Sequence, residues 1–491
     1  MDIGRYEGIR LSDNIEESTN TIKEILKNDG ILRVRQFFIN GNISCTLFFM
    51  DGMVNNAILN QTVLEPLITY RGEIKGDIPS FVLNNILFAA ESSKQEYISE
   101  MLRSLLYGDT LLLMDNSSTA ITVNTKGWRT RGISEPSNER VLTGPKEAFD
   151  EAVMLNMAMI RRKLPTPDLC VETQNLGRRS DTRVFITYLH SLVNKKALNI
   201  LKERLSKIDI DSVLDSNYIN ELINNKPFSL FKTAGSTEKP DIVVARLLEG
   251  RIAVLVDGSP VVLTLPYLFS ENFQSDDDYY LNFLFATGGR ILRYICFFLS
   301  ISVPSLFLAL ITHHKQLIPT SFFLSVTSSR SGVPFPPLIE CLLLIFIFEI
   351  LREAGLRVPQ SMGQALSIVG GLVIGQSSVE AGIVSAPLLI AVALSGISGL
   401  MVTRLKSAVL FLRIFLTLLG SIFGLFGYFA GIFFILINIF SLESFGTDST
   451  SSLDNISFQS LKDTLFRAPW YKMKTRPTAL SQNRIRQGDR K

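Results

Sequence analysis

After the run Asp276-Asp277-Asp278 the chain changes character. From Arg290 to Arg413 charges are few and clustered, and apolar stretches reach the length that a bilayer demands. A helix crossing the hydrocarbon core needs about 20 largely apolar residues. Ile291–Thr312, Ser361–Val379 and Gly382–Thr403 meet that length. Val409–Phe440 runs to ~32 residues, enough to span with tilt or a kink. Leu338–Leu351 is shorter and leads into Glu349, Arg352 and Glu353, as a short span, a re-entrant piece or a buried helix. This pattern predicts an α-helical integral membrane domain over 288–442 with four to six segments.

Charge divides the chain in the same way. Only 19% of the 491 residues are charged, against ~25% in soluble proteins, which excludes a disordered or purely nucleic-acid-binding chain. Residues 1–287 carry −6, the middle 288–461 carries +2, and Lys462–Lys491 carries +7. Met1-Asp2-Ile3-Gly4-Arg5 has no apolar h-region, so no cleavable signal peptide is expected and the front is expected in the cytoplasm. Arg290 and Arg293 before the first span, and the basic tail 443–491, both favour the cytoplasmic side. Both ends inside require an even number of crossings. The preferred count is four full spans, with Leu338–Leu351 incomplete, which leaves Arg404, Lys406 and Arg413 outside. The alternative folds Val409–Phe440 into a hairpin at Gly420, Gly424, Gly427 and Gly431.

The front reads as two α/β lobes, 1–141 and 181–287, joined by a helical connection over 142–180. Ile43–Met50 is a strand-like run ending at Asp51-Gly52, and Ile252–Val256 runs through Asp257-Gly258 into Val261-Val262-Leu263. Asp-Gly between β-branched runs predicts hairpins, and two of them hint at a degenerate repeat. Leu111–Met114 and Thr119–Val123 form another hairpin around Asp115-Asn116-Ser117-Ser118. Helices are expected over Ile15–Leu26, Lys94–Leu106, Lys146–Leu164 and Asp181–Lys207. Asp276–Asp278 reads as a solvated linker.

Signatures of catalysis are missing. There is no Walker A, no G-x-S-x-G and no G-x-G-x-x-G opening a helix, so an enzyme is the least expected class. Cys45, Cys170, Cys296 and Cys341 have no metal-ligand or disulfide spacing, and no cofactor or metal is expected. His190 falls on a helix pattern as a structural residue. His313-His314 follows a span, as an interfacial anchor or a metal or pH site.

Two sets of residues stand out inside the apolar region. On a helix over Ser361–Val379, Gln364, Ser367, Gly371, Gly375 and Ser378 share one face, with Ile368 about 40° from Gln364. Small residues let helices approach closely, and polar ones can wet a pore wall, so the stripe is either a packing seam or a pore lining. Glu340, Glu349, Arg352, Glu353 and Glu380 are the membrane-embedded charges. Ionisable groups at that depth are functional candidates. Glu349 and Arg352, three apart, can pair on a helix, and the carboxylates form either an internal salt-bridge network or a cation-attracting ring in an oligomer.

Several long runs carry a family resemblance. They are Ile133-Ser134-Glu135-Pro136 with Gly144-Pro145-Lys146-Glu147, Leu317-Ile318-Pro319-Thr320 with Val333-Pro334-Phe335-Pro336, the stretch Phe348–Pro359, Ile368–Gln376, and Arg467-Ala468-Pro469-Trp470 with Arg476-Pro477. From about residue 130 onward the chain resembles the A subunit of the GerA-type spore germinant receptors. Two places depart from the pattern: Ile345 stands where an acidic residue is expected, and Met401–Lys406 lacks a proline and is basic. The resemblance implies a protein of the spore inner membrane, partnered by a transporter-like B subunit that senses nutrients and a lipoprotein C subunit. It also implies an oligomer, a pentamer, forming a nutrient-gated channel for monovalent cations. A non-conducting signalling scaffold and direct germinant binding by the front are the competing roles.

Overall fold

The computed structural model describes residues 3–27, 29–127, 139, 141, 143–357, 375–450, 461–477, 480–481 and 485–486. The first lobe runs α1 (Ile15–Ile25), β1 (Leu32–Ile39), β2 (Ile43–Met50), α2 (Asn56–Leu59), α3 (Glu65–Thr69), α4 (Ile78–Asn85), β3 (Ser92–Gln95), α5 (Ile98–Leu106), β4 (Thr110–Met114) and β5 (Ala120–Val123). The second runs α6 (Val153–Lys163), β6 (Leu169–Leu176), β7 (Thr182–Leu189), α7 (Lys195–Ser206), α8 (Ser216–Leu222), β8 (Gly235–Thr237), α9 (Pro240–Leu248), β9 (Ile252–Val256) and β10 (Val262–Leu265).

The two lobes repeat one topology. The first sheet has the order β1-β2-β4-β5-β3 and the second β6-β7-β9-β10-β8, which is the same order strand for strand. All pairings are antiparallel. The helices repeat too. One core cluster joins α1 and α5 of the first lobe to α6 and α9 of the second, between the inner faces of both sheets. The outer face of the first sheet is covered by residues of α2–α4, and that of the second by α7 and α8. Strands buried on both faces lose the period-two pattern. At the seam, the Gly30 amide donates to the Val171 carbonyl at 3.0 Å, and a Cβ on Gly30 would lie 2.8 Å from that oxygen. Arg161 pairs with Asp29 there, both fully buried.

Local signals explain many of these elements. Asn14 caps α1 by accepting from the Glu16 amide at 2.8 Å. The hairpins β4–β5 and β9–β10 form as expected. The other Asp-Gly expectation needs correction. Asp51-Gly52 leads out of β2 toward α2, and the first hairpin turns earlier, at Asn40-Gly41, where both residues have positive φ. The repeat is real, but the two Asp-Gly pairs follow non-equivalent strands. Asp181–Lys207 is strand β7 followed by helix α7, rather than one helix, because Thr182–Leu189 is rich in β-branched and aromatic residues and lies mid-sheet. Lys94 belongs to β3, and Lys146–Leu164 is helical only from Val153. Leu169–Leu176, within the stretch expected to connect the lobes, supplies a strand of the second sheet. His190 sits in the turn after β7, exposed.

The helical region comprises α10 (Phe283–Thr312), α11 (Thr320–Ser329), α12 (Pro337–Arg357), α13 (Gly375–Glu380), α14 (Ala386–Leu400) and α15 (Lys406–Phe440). Among the described residues two helices, α10 and the Thr403–Phe440 stretch, are long and apolar enough to cross a membrane, and α14 is a shorter apolar helix. The second of these is a hairpin. Gly424 has φ +62° and ψ −145°, a conformation essentially confined to glycine. Phe415 and Phe434 have ring centroids 5.8 Å apart, whereas 19 residues of straight helix would separate them by about 28 Å. Gly427 and Gly431 lie against Leu419 and Leu416, so small residues let the two arms close.

The bundle has two distinct ends. Arg404, between α14 and α15, pairs with Asp276 of the front at 3.1 Å, and Lys226 Nζ donates to the Ser441 carbonyl at 2.7 Å after α15. At the opposite end His313 and His314 lie against Gly424, and His313 Nε2 is 2.8 Å from the Ser421 carbonyl oxygen. The expectation that Arg404 lies on the far side from the front is therefore wrong: its guanidinium is neutralised by the front's own carboxylates. Tail residues return to this end of the bundle and to the front as well. Asp463 pairs with Arg290 at 3.0 Å, and Arg476 Nε donates to the Leu248 carbonyl at 2.6 Å.

Candidate functional site: the polar centre of the helical bundle

The most unusual chemistry lies midway along the bundle and begins with a proline. Pro304 sits inside α10, so it has no amide hydrogen for the carbonyl of Ser300. A buried carbonyl seeks another donor. Ser300 O accepts from Ser395 Oγ of α14 at 2.6 Å and from Arg413 Nε of α15 at 3.1 Å. Ser300, Ser395 and Arg413 are all fully buried. Arg413 Nη1 then reaches Glu349 of α12 at 3.7 Å, and Glu349 also pairs with Arg352. Four helices thus meet at one freed carbonyl and one ion cluster. Arg413 Nη1 and Nη2 make no hydrogen bond among the described residues, so the cluster holds spare donor capacity.

Small residues make the approach possible. A Cβ on Gly420 would lie 2.3 Å from Ser305 Oγ, and Ser305 itself donates to the Leu416 carbonyl at 2.5 Å. A Cβ on Gly396 would lie 2.5 Å from the Phe348 ring. Tyr428 donates to Ser302 Oγ at 2.9 Å, tying the returning arm of α15 to α10.

The predicted charges fall in three places. Glu349 and Arg352 pair as their spacing implies, within the cluster above. Glu340 is fully buried toward the far end, where Glu340 Oε1 accepts from the amide and hydroxyl of Ser385, each at 2.6 Å, and Oε2 lies 3.4 Å from Arg330. Glu353 and Glu380 are exposed, held by Arg357 and by Gln376 Nε2 at 2.8 Å. Gly375 and Ser378 belong to the short α13, with Gly375 beside Leu389. Gln364, Ser367, Ile368 and Gly371 lie outside the described residues. Ile345 packs in an apolar cluster with Leu308, Cys341 and Leu388. Ser300, Pro304 and Ser395 are not singled out by sequence, and Arg413, expected outside the membrane, lies buried at the centre of the bundle because the Ser300 carbonyl and Glu349 hold it there; the readable signal is a proline four residues after a serine within a long apolar helix.

A second ion network fastens the front to the bundle. Asp276–Asp278, expected as a solvated linker, is buried at Asp276 and Asp278. The correction has a simple cause: Asp278 accepts from Arg290 Nε at 2.9 Å and Arg293 Nη2 at 2.8 Å. Burial pushes the Asp278 carboxyl up, but the two guanidiniums outweigh it and hold it below the usual range. Glu271 behaves alike: burial raises it, and Arg246 and Arg251 bring it below normal. Asp463, also beside Arg290, stays raised because burial dominates.

A two-lobed α/β front fixed by buried ion pairs to an apolar helical bundle with a charged centre defines the class: an α/β front carried on an α-helical membrane domain. Comparison with known proteins gives the family. The chain matches the family described as Bacillus/Clostridium GerA spore germination protein over residues 20–479. It is 36% identical to spore germination protein KA of Bacillus subtilis, over 97% of this chain and 88% of that protein. It is 32% identical to spore germination protein GerLA of Bacillus cereus, over 98% and 99%. A crystal structure of the N-terminal domain of the A subunit of the Bacillus megaterium spore germinant receptor GerK3 matches at 31% identity, covering 53% of this chain and 97% of that one, with a TM-score of 0.41. The chain belongs to the GerA family of spore germination proteins, as an A subunit of the spore germinant receptor type.

Proposed function

We propose that this A subunit sits as a multi-pass protein in the spore inner membrane and lines a nutrient-gated path for monovalent cations. Its front and tail face the cytoplasm. In this reading it self-associates, as a pentamer, and assembles with a transporter-like B subunit that senses the nutrient and a lipoprotein C subunit. Support for the receptor role comes from the family match across 20–479.

The observation that carries the membrane arrangement is the direction of the passes. The first halves of α12 and α14 meet at Cys341 and Leu388, and their later parts at Phe348 and Gly396, so the two helices run the same way. Consecutive parallel passes need a crossing between them, and Ser361–Val379 is the apolar stretch available. With α10, α12, α14 and the two arms of α15 this makes six crossings, an even number. In the proposed oligomer Gln364, Ser367, Gly371, Gly375 and Ser378 face the axis, and Ile368 forms an apolar ring that closes the path by dewetting. Glu340 and Glu349 are spent on partners inside the protomer. Exposed Glu380 is the better candidate for a cation-attracting ring at the far mouth.

The test is cation flux from proteoliposomes containing the full chain with its B and C partners. Nutrient-triggered potassium release supports conduction. A nutrient response in spores without any flux in liposomes supports the signalling scaffold instead.

A further inference from the structure

The segment between α8 and β8 touches the bundle at two points and leaves its middle bare. Lys226 Nζ donates to the Ser441 carbonyl at 2.7 Å, just after α15. Further on, Phe231 is buried in one cluster with Cys296 and Ile301 of α10 and with Leu442. Its ring meets Phe269 at 5.5 Å, Phe269 meets Phe273 at 5.7 Å, and Phe273 stacks on Tyr294 of α10 at 3.9 Å. Between these two anchors a turn projects outward. The Ser229 amide donates to the Lys226 carbonyl at 2.9 Å, with Pro227 and Phe228 at the tip. Proline at the second position of such a turn presets its backbone.

Phe228 is 98% exposed, and no large apolar side chain among the described residues is more so. A lone apolar residue at a surface needs no explanation. Phe228 is not alone: Leu230 of the same segment is exposed, as are Ile437 and Phe440 in the last turn of α15.

The depth of these residues says what covers them. The returning arm of α15, from Gly424 to Phe440, is about 24 Å of helix, shorter than the ~30 Å hydrocarbon core. Its end therefore lies at the membrane interface rather than clear of it. Phe228 stands within ~7 Å of Lys226 along the backbone, and the Lys226 ammonium sits on that helix end. Apolar side chains at this level rest in the boundary between headgroups and acyl chains.

We propose that Phe228 is a membrane anchor of the front: the turn Lys226-Pro227-Phe228-Ser229 presses its ring into the leaflet on the front's side. The bilayer then holds the second lobe directly, in addition to the ion pairs that fasten it to the bundle. The inference rests on the bundle crossing a membrane and is independent of the cation path.

Tryptophan quenching tests it, in nanodiscs holding one copy of the full chain. The signal of the native Trp128 and Trp470 is subtracted with the parent protein. Phospholipids brominated at shallow or deep positions of the acyl chain report depth. At 98% exposure Phe228 packs on little, so Phe228→Trp should melt as the parent does. Its emission should lie to the blue of a hydrated indole and dim roughly twofold with shallow bromines, less with deep ones. Phe433→Trp, exposed on the returning arm of α15, should dim with deep bromines, which establishes that the bundle is embedded. Phe88→Trp, exposed in the first lobe and separated from the outer layer of the second by both sheets, should dim with neither. A hydrated, unquenched Phe228→Trp beside a quenched Phe433→Trp would overturn the anchor and leave the membrane domain standing. Equal dimming of Phe88→Trp would overturn it too. So would a Phe228→Trp emission that turns blue, without bromine quenching, only when nanodiscs hold several copies, because a second copy would then be the cover. An unquenched Phe433→Trp would reject the membrane reading and the anchor with it.

Discussion

Arg413 Nε lies 3.1 Å from the carbonyl oxygen of Ser300, in the role that an amide at position 304 would play if that residue were not proline. The helix break and its repair are thus on different helices, and the repair carries a charge into the bundle. Glu349 and Arg352 then balance that charge from a third helix.

Removing the charge should cost more than removing the hydroxyl. Arg413→Met takes the charged donor from the Ser300 carbonyl and leaves Glu349 with Arg352 alone, and should destabilise by about 2–3 kcal/mol. Ser395→Ala leaves Arg413 on the same carbonyl and should cost about 1 kcal/mol. Unfolding in detergent and subunit abundance in membranes measure both. Equal effects would mean the carbonyl, not the ion cluster, organises the centre.

The hairpin in α15 depends on one backbone conformation. Gly424→Ala puts a Cβ 2.7 Å from the His314 ring and forces alanine into a glycine-only region, at a cost of about 3 kcal/mol. A bifunctional thiol reagent should link Phe415→Cys to Phe434→Cys in the parent protein and fail to do so with Gly424→Ala. Undiminished linking would show that the turn tolerates a side chain.

What could be read from sequence was the chemistry of continuous runs. Ile43–Met50 is β2 to the residue, and Val409–Phe440 carries its glycines where the hairpin turns and closes. What could not be read depended on contacts between distant residues. The solvated look of Asp276–Asp278 fails because Arg290 and Arg293 of α10 and Arg404 of the α14–α15 turn converge on it. Thr182–Leu189 shows no alternation because both faces of its sheet are covered, so its extended form was hidden in a helix-like run. The repeat of the two lobes lies in strand order, which survives when sequence similarity does not.

Acid should loosen the front from the bundle. Asp278 and Glu271 have folded-state values below their unfolded ones, so their stabilisation is present above about pH 4 and is lost as the pH falls through the folded values. Raised Asp463 works in the opposite direction, its contribution fading as the pH rises through its folded value. Melting of the full chain should therefore drop below about pH 4, and Glu271→Gln should flatten that drop. A pH profile unchanged by Glu271→Gln would remove Glu271 from the acid response.

Front and tail should share one side of the membrane. Tyr471, in the tail, and Leu317, at the far end of the bundle, are both well exposed, while Cys45, Cys170, Cys296 and Cys341 are buried. In sporulating cells an impermeant thiol reagent applied to the outer face of the membrane should label Leu317→Cys and spare Tyr471→Cys. The reverse pattern would invert the orientation.

Potassium release from proteoliposomes holding the full chain with its B and C partners tests the central claim most directly. Release should begin on adding nutrient, and Ile368→Ala, at normal subunit abundance, should leak without it. A receptor that still triggers germination in spores while passing no cations, with Ile368→Ala equally tight, would contradict the account.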